Sequence, residues 1–149
     1  MKKILCLTDF SENAENGVLY ANELAKRFSS TLVFMHTYKL GLSSEEETFT
    51  HPALVYYTDT ESREKLYDIC MRFEKENKYT NVNYEYIVKE GDVTQNLNEI
   101  IGEHCIDGVV LSAEGELRPN DAYYGSIVSE IVKKSKCPVV VVPVTYKIK

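Results

Sequence analysis

Residues 4–12 read Ile4-Leu5-Cys6-Leu7-Thr8-Asp9-Phe10-Ser11-Glu12. A short continuous apolar run halted by a polar turn marks a strand covered on both faces, as in a parallel sheet. Ser11 then offers an N-cap oxygen, and Glu12 and Glu15 fall in the first turn, where the positive end of a helix favours acids. Ala14, Val18, Ala21, Ala25 and Phe28 recur at helical spacing and predict one buried face.

The same alternation continues outward along the chain. Thr31–Met35 reads as a second buried strand leading into His36-Thr37-Tyr38. An irregular stretch from Lys39 to about Thr58 follows, long for a compact domain and of the kind that often carries function. Thr60 is expected to open a helix with Leu66, Ile69, Cys70 and Phe73 as its apolar stripe, and Glu61 and Lys65 stand one turn apart with favourable polarity. Val82, Tyr84, Tyr86 and Val88 alternate with Asn83, Glu85 and Ile87, the pattern of an edge strand with one wetter face. After Gly91, Asp92 and Gln95 resemble a capping box, with Val93, Leu97, Ile100, Ile101 and Cys105 as the helix face. Gly108–Leu111 is a fourth strand, and a polar loop from Ser112 to Tyr124 precedes a helix with Ile127, Val128, Ile131 and Val132 inward. Lys133, Lys134 and Lys136 close that helix where its dipole welcomes cations, and Val139–Val142 forms the last strand between two prolines. Five strands alternating with four helices predict an α/β fold, a mostly parallel open sheet with helices on both faces and right-handed crossovers.

The 149 residues suit a single domain spanning 1–149. Seventeen basic against twenty-three acidic residues leave a net charge of −6, and no basic run exceeds two residues, so a nucleic-acid partner is not expected. Neither a secretory h-region nor an apolar run of membrane-spanning length is present, which predicts a cytoplasmic protein with no membrane partner. Cys6, Cys70, Cys105 and Cys137 lie dozens of residues apart in apolar periodic segments. That spacing excludes a zinc site or disulfide framework and predicts buried free thiols.

In open α/β sheets, ligands bind beyond the carboxyl ends of the strands where strand order reverses. The candidate segments are therefore Thr8–Ser11, His36–Tyr38 and Ser112–Ser126. In the last, Gly125-Ser126 stands at a helix start, where backbone N–H groups and a hydroxyl make an anion site. Neither a P-loop nor a G-x-G-x-x-G fingerprint occurs; the spacing is Ser112-x-x-Gly115, nine residues, then Gly125-Ser126.

Over nearly its whole length the chain resembles the universal stress protein family, whose nucleotide-binding members show Gly-x-x-Gly, nine residues, then Gly-Ser or Gly-Thr here. Lys2 through Ser11, Gly91, Asp107 and Cys137-Pro138-Val139-Val140-Val141-Val142 also fall where such proteins carry similar residues. The resemblance implies strand order 3-2-1-4-5, an adenine nucleotide alpha hydrolase-like arrangement. It further implies an ATP or other adenine nucleotide site, with Mg, in which Leu7, Thr8 and Asp9 meet the adenosine and the Thr37 turn touches the adenine through its backbone. Leu111 and Ser112 would line base and ribose, while Gly115, Gly125, Ser126 and Ile127 would cradle the phosphates. The motif is degenerate, because Ser112 stands where the first glycine belongs and Leu7 where a proline is common.

The loop itself is acidic. Glu114, Glu116 and Asp121 against Arg118 leave a local balance of −2. Each carboxylate within about 4 Å of a phosphate opposes binding by about 1–4 kcal/mol, whereas a helix terminus returns about 0.3–2 kcal/mol. A non-nucleotide-binding dimer acting through protein–protein interaction is thus the alternative. No general base is legible near the phosphate loop, so at most a slow ATPase is expected and no catalytic residue is assigned. His36, at the end of a buried strand, reads as a satisfied core histidine; neither it nor His51 or His104 has a partner at metal-ligand spacing. A receiver-type phosphoacceptor is set aside because Val88-Lys89 supplies no acid at the third strand's end. At a sheet edge, Val139–Val142 would invite uncontrolled pairing, and two-fold pairing of this strand in a homodimer is the expected solution.

Overall fold

The structure, a computed structural model, describes residues 1–39, 52–113 and 126–146, with the backbone alone for 52–57 and 126. Its elements are β1 (Lys3–Leu7), α1 (Glu12–Phe28), β2 (Thr31–Tyr38), α2 (Pro52–Glu76), β3 (Asn83–Glu90), α3 (Val93–Glu103), β4 (Gly108–Ser112), α4 (Ser126–Lys134) and β5 (Val139–Val142).

The strands form one parallel sheet in the order β3-β2-β1-β4-β5, so β1 lies at its centre. Register pairs Leu7 with Met35 on one side and Cys6 with Val110 on the other. Asp107 sets the start of β1: its carboxylate accepts the backbone N–H groups of Lys2 and Lys3 at 2.8 and 2.9 Å. Those two bonds hold its carboxyl below the usual carboxylate range.

Successive side chains of β1 leave the sheet on opposite faces, as strand pleating requires. Ile4 and Cys6 join Phe34, Val110 and the α1–α2 residues Val18, Ala21, Ala25, Leu66 and Phe73 in one core cluster. Leu5 and Leu7 join Val33, Met35, Val109 and the α3–α4 residues Leu97, Ile100 and Ile131 in the other. Two dry faces explain why β1 reads as an unbroken apolar run rather than an alternation.

The Ser11 cap forms as expected, its hydroxyl accepting the Ala14 N–H at 3.1 Å. Other local expectations are corrected. The helix placed at Thr60 begins at Pro52, because proline's missing N–H and preset φ suit a first helical position. The preceding residues 40–51 of the expected loop lie outside the described residues. Asp92 occupies the N-cap of α3 but makes no capping bond, since its carboxylate pairs with Lys39 Nζ at 2.7 Å. Asn96, not Gln95, closes that turn by donating to the Asp92 carbonyl at 2.9 Å.

Phe28 is exposed, since helical periodicity does not say how far the sheet beneath extends. Ile127 and Val132 are also exposed: they lie about 70° to either side of the centre of the narrow stripe of Val128 and Ile131 by which α4 packs. Cys105 is exposed in a left-handed turn just past α3 (φ 54°), and Cys137 is half-buried. Cys6 and Cys70 are buried as expected, and burial pushes the Cys70 thiol up to about 12.

Candidate functional site

The carboxyl ends of β1 and β4 lie side by side at the point where chain order reverses, with β2 leaving β1 on its other flank. Counting on from the Cys6–Val110 pair brings Leu7 level with Leu111. The crevice beyond them is therefore bordered by Thr8 and Asp9 on one tip and Ser112 on the other.

Three local bonds shape the β1 tip. The Thr8 N–H donates to the Met35 carbonyl at 3.0 Å, extending β1–β2 pairing by one residue. The Thr8 hydroxyl accepts the Phe10 N–H at 3.1 Å, and Asp9 Oδ1 accepts the Ser11 N–H at 3.0 Å. These overlapping Ser/Thr and Asx turns reverse the chain within four residues and deliver Ser11 to its capping position. Phe10 pivots the turn at φ 65°, a left-handed conformation that costs a side-chain-bearing residue about 1–2 kcal/mol. Thr8 is buried and Asp9 exposed.

His36 on β2 underlies this turn. Because the Thr8 carbonyl can only accept, His36 Nδ1 is the protonated nitrogen in their 2.8 Å hydrogen bond. Burial lowers the His36 pKa most, and the Lys65 charge adds to that; the Thr8 hydrogen bond and Asp9 act in the opposite sense. The Phe10 ring packs on His36 at 4.4 Å between centroids, with Lys65 Nζ 5.2 Å from the Phe10 centroid on α2's side.

On the other tip, Ser112 is buried and its hydroxyl is turned toward α1, where it accepts the Gly17 N–H at 2.9 Å. Gly17 admits this approach because a Cβ there would lie 2.8 Å from Ser112 Oγ and 3.1 Å from its backbone nitrogen. Thr37, half-buried, pairs with Lys89 toward the end of β2. Ser126 is the first residue of α4, and the exposed Ile127 follows it. A groove of about 310 Å³ runs between α3 and α4, bordered by Asp92, Thr94, Gln95, Ile127, Glu130 and Lys134. Gly115, Gly125, Glu114, Glu116, Arg118 and Asp121 lie outside the described residues.

Leu7, Thr8, Asp9, Leu111 and Ser112 are thus brought to two adjacent strand tips, with Thr37 at the end of the next strand out. Phe10, Gly17 and Lys65 are not among the site residues that the sequence points to. An isolated glycine inside a helical pattern was a usable signal for Gly17, whereas nothing local announces a phenylalanine at positive φ. Among the described residues no cluster of three metal-ligating side chains occurs, and no helix is long and apolar enough to cross a membrane.

The profile of the universal stress protein family matches residues 1–143. No curated protein matches the chain. Among solved structures, universal stress protein UspA from Lactobacillus plantarum superposes with a TM-score of 0.74 at 22% identity, covering 95% of this chain and 97% of that one. The universal stress protein from Archaeoglobus fulgidus in complex with dAMP gives 0.62 at 16% identity over 95% and 97%. A universal stress protein family protein from Arabidopsis thaliana with AMP bound gives 0.58 at 14% identity over 96% and 92%.

Proposed function

Because the chain belongs to the universal stress protein family, we propose that it is a regulatory module that binds an adenine nucleotide beyond the adjacent ends of β1 and β4. The observation that carries this reading is the meeting of Asp9 and Ser112 on neighbouring strand tips at the reversal of strand order, where α/β sheets take their ligands. Structural relatives holding dAMP and AMP support the ligand class. In this reading Leu7, Thr8 and Asp9 meet the adenosine, the Thr37 backbone meets the adenine, and Leu111 and Ser112 line base and ribose. Gly115, Gly125, Ser126 and Ile127 hold the phosphates. Magnesium offsets the acidic loop when ATP is the ligand.

The Ser112 hydroxyl engages Gly17, so the departure from glycine at this position does not by itself place a free hydroxyl against the ligand. The chain acts as a cytoplasmic homodimer paired through Val139–Val142, an edge strand in the sheet.

Calorimetric titration with AMP and with Mg-ATP tests this. Heat of binding and a raised melting temperature are expected, and neither at millimolar nucleotide would discard it. Neutralising Glu114 and Glu116 to glutamine is expected to tighten Mg-ATP binding by about tenfold or more, since each carboxylate near a phosphate costs at least about 1 kcal/mol. The acidic loop also favours a second reading, a protein–protein interaction dimer without nucleotide, which the same titration separates from the first.

A further inference from the structure

Two anchored residues bracket Asp9. Thr8 is fixed through its N–H to Met35, through its carbonyl to His36 and through its hydroxyl to Phe10. Phe10 is fixed by that hydroxyl and by its ring, which has the His36 ring at 4.4 Å and the Lys65 ammonium at 5.2 Å. A left-handed phenylalanine persists only where its surroundings over-determine it, and His36 supplies two of the contacts that do so, one on each side of Asp9.

We propose that His36 is the positioning residue of the nucleotide site: its Nδ1–H to the Thr8 carbonyl and its ring beneath Phe10 hold the turn that presents Asp9 to the ligand. This rests on the nucleotide reading above. His36 itself contacts the turn rather than the ligand and does no chemistry. Its backbone is held in the sheet opposite Val88, so the imidazole is a rigid strut between β2 and the β1 tip. Of these two contacts, a side-chain amide that places an N–H at the same distance from the backbone restores the Thr8 bond and leaves out the ring beneath Phe10.

The test compares His36→Leu, which keeps the bulk and removes the donor, with His36→Asn, whose Nδ2 stands where Nδ1 stood. AMP affinity by calorimetry is expected to fall about tenfold or more in His36→Leu, a hydrogen bond lost and a carbonyl left unsatisfied, and to return toward the wild-type value in His36→Asn. Equal affinity in all three proteins, or equal loss in both variants, overturns the proposal. Amide spectra of the ligand-free proteins give the second readout. Resonances of Asp9, Phe10 and Ser11 are expected to move in His36→Leu and to move less in His36→Asn, which keeps the Thr8 bond but not the ring; no movement in His36→Leu, or equal movement in both, overturns it. If wild-type protein binds no AMP, the nucleotide reading fails, and these spectra alone decide whether His36 holds the turn. Should His36→Leu not fold, His36→Gln, with its N–H displaced by one methylene, replaces it with the same expectation.

Discussion

The Ser112 hydroxyl accepts a 2.9 Å hydrogen bond from the backbone N–H of Gly17, joining the end of β4 to the second turn of α1 across 95 residues of chain. The contact exists because Gly17 lacks a Cβ. It makes the helix after β1 a direct support of the opposite strand tip, so both walls of the crevice are tied to α1.

Gly17→Ala tests that notch. Alanine gains about 1 kcal/mol of helix propensity, but overpacking against Ser112 costs about 1–3 kcal/mol. The clash at 2.8 Å is with a side-chain oxygen, yet the Ser112 nitrogen at 3.1 Å is backbone and yields less. A net loss of about 1 kcal/mol in urea denaturation is expected. Adding Ser112→Gly removes the nearer atom, and the double variant is expected to be more stable than the sum of the single effects.

The two helix N-caps behave differently. Ser11→Ala is expected to cost about 1 kcal/mol, because its hydroxyl holds the Ala14 N–H. Asp92→Ala is expected to cost less than half of that by thermal melting, since Asp92 makes no capping bond and its pair with Lys39 is solvent-exposed.

At Phe10, glycine and alanine separate backbone strain from packing. Both remove the ring contact with His36, but only alanine keeps a Cβ at φ 65°. Phe10→Gly is therefore expected to be more stable than Phe10→Ala by about 1 kcal/mol in chemical denaturation. Equal stabilities would show that the turn relaxes to negative φ once the ring is gone.

Stability should fall in mild acid through His36. Burial and Lys65 hold its pKa below the ordinary 6.5 against the opposing pull of the Thr8 bond and Asp9. Between its folded value and 6.5 the unfolded chain binds more protons than the folded one, so stability rises with pH in that window. The contribution is complete above 6.5 and is lost as pH falls through the lower folded value. Thermal melts from about pH 7.5 to about pH 5 should show a steeper drop for wild type than for His36→Asn.

Much of this architecture is legible locally. The unbroken apolar run Ile4–Leu7, the Ser11 cap and the Val93–Leu97–Ile100 stripe each follow from backbone geometry and burial over a few residues, and together they lead to a doubly covered parallel sheet. Exposure of Phe28, Ile127 and Val132 was not legible, because periodicity ranks the faces of a helix without measuring the width of the surface beneath. Asp92 misled for a related reason: its capping distance to Gln95 is local, but its partner, Lys39, arrives from the end of another strand.

The candidate site divides along the same line. Residues of the chain order alone place Thr8, Asp9 and Ser112 after strands, since polar turns end apolar runs. Whether those strands are neighbours, where the Ser112 hydroxyl turns, and what props Phe10 in a left-handed turn depend on contacts between segments far apart in the chain. Hydrogen bonds such as Gly17 to Ser112 and His36 to Thr8 form only once the sheet has brought distant backbone within 3 Å. Composition and spacing carry no record of such distances, and so the frame was written in the sequence while its fittings were decided by packing.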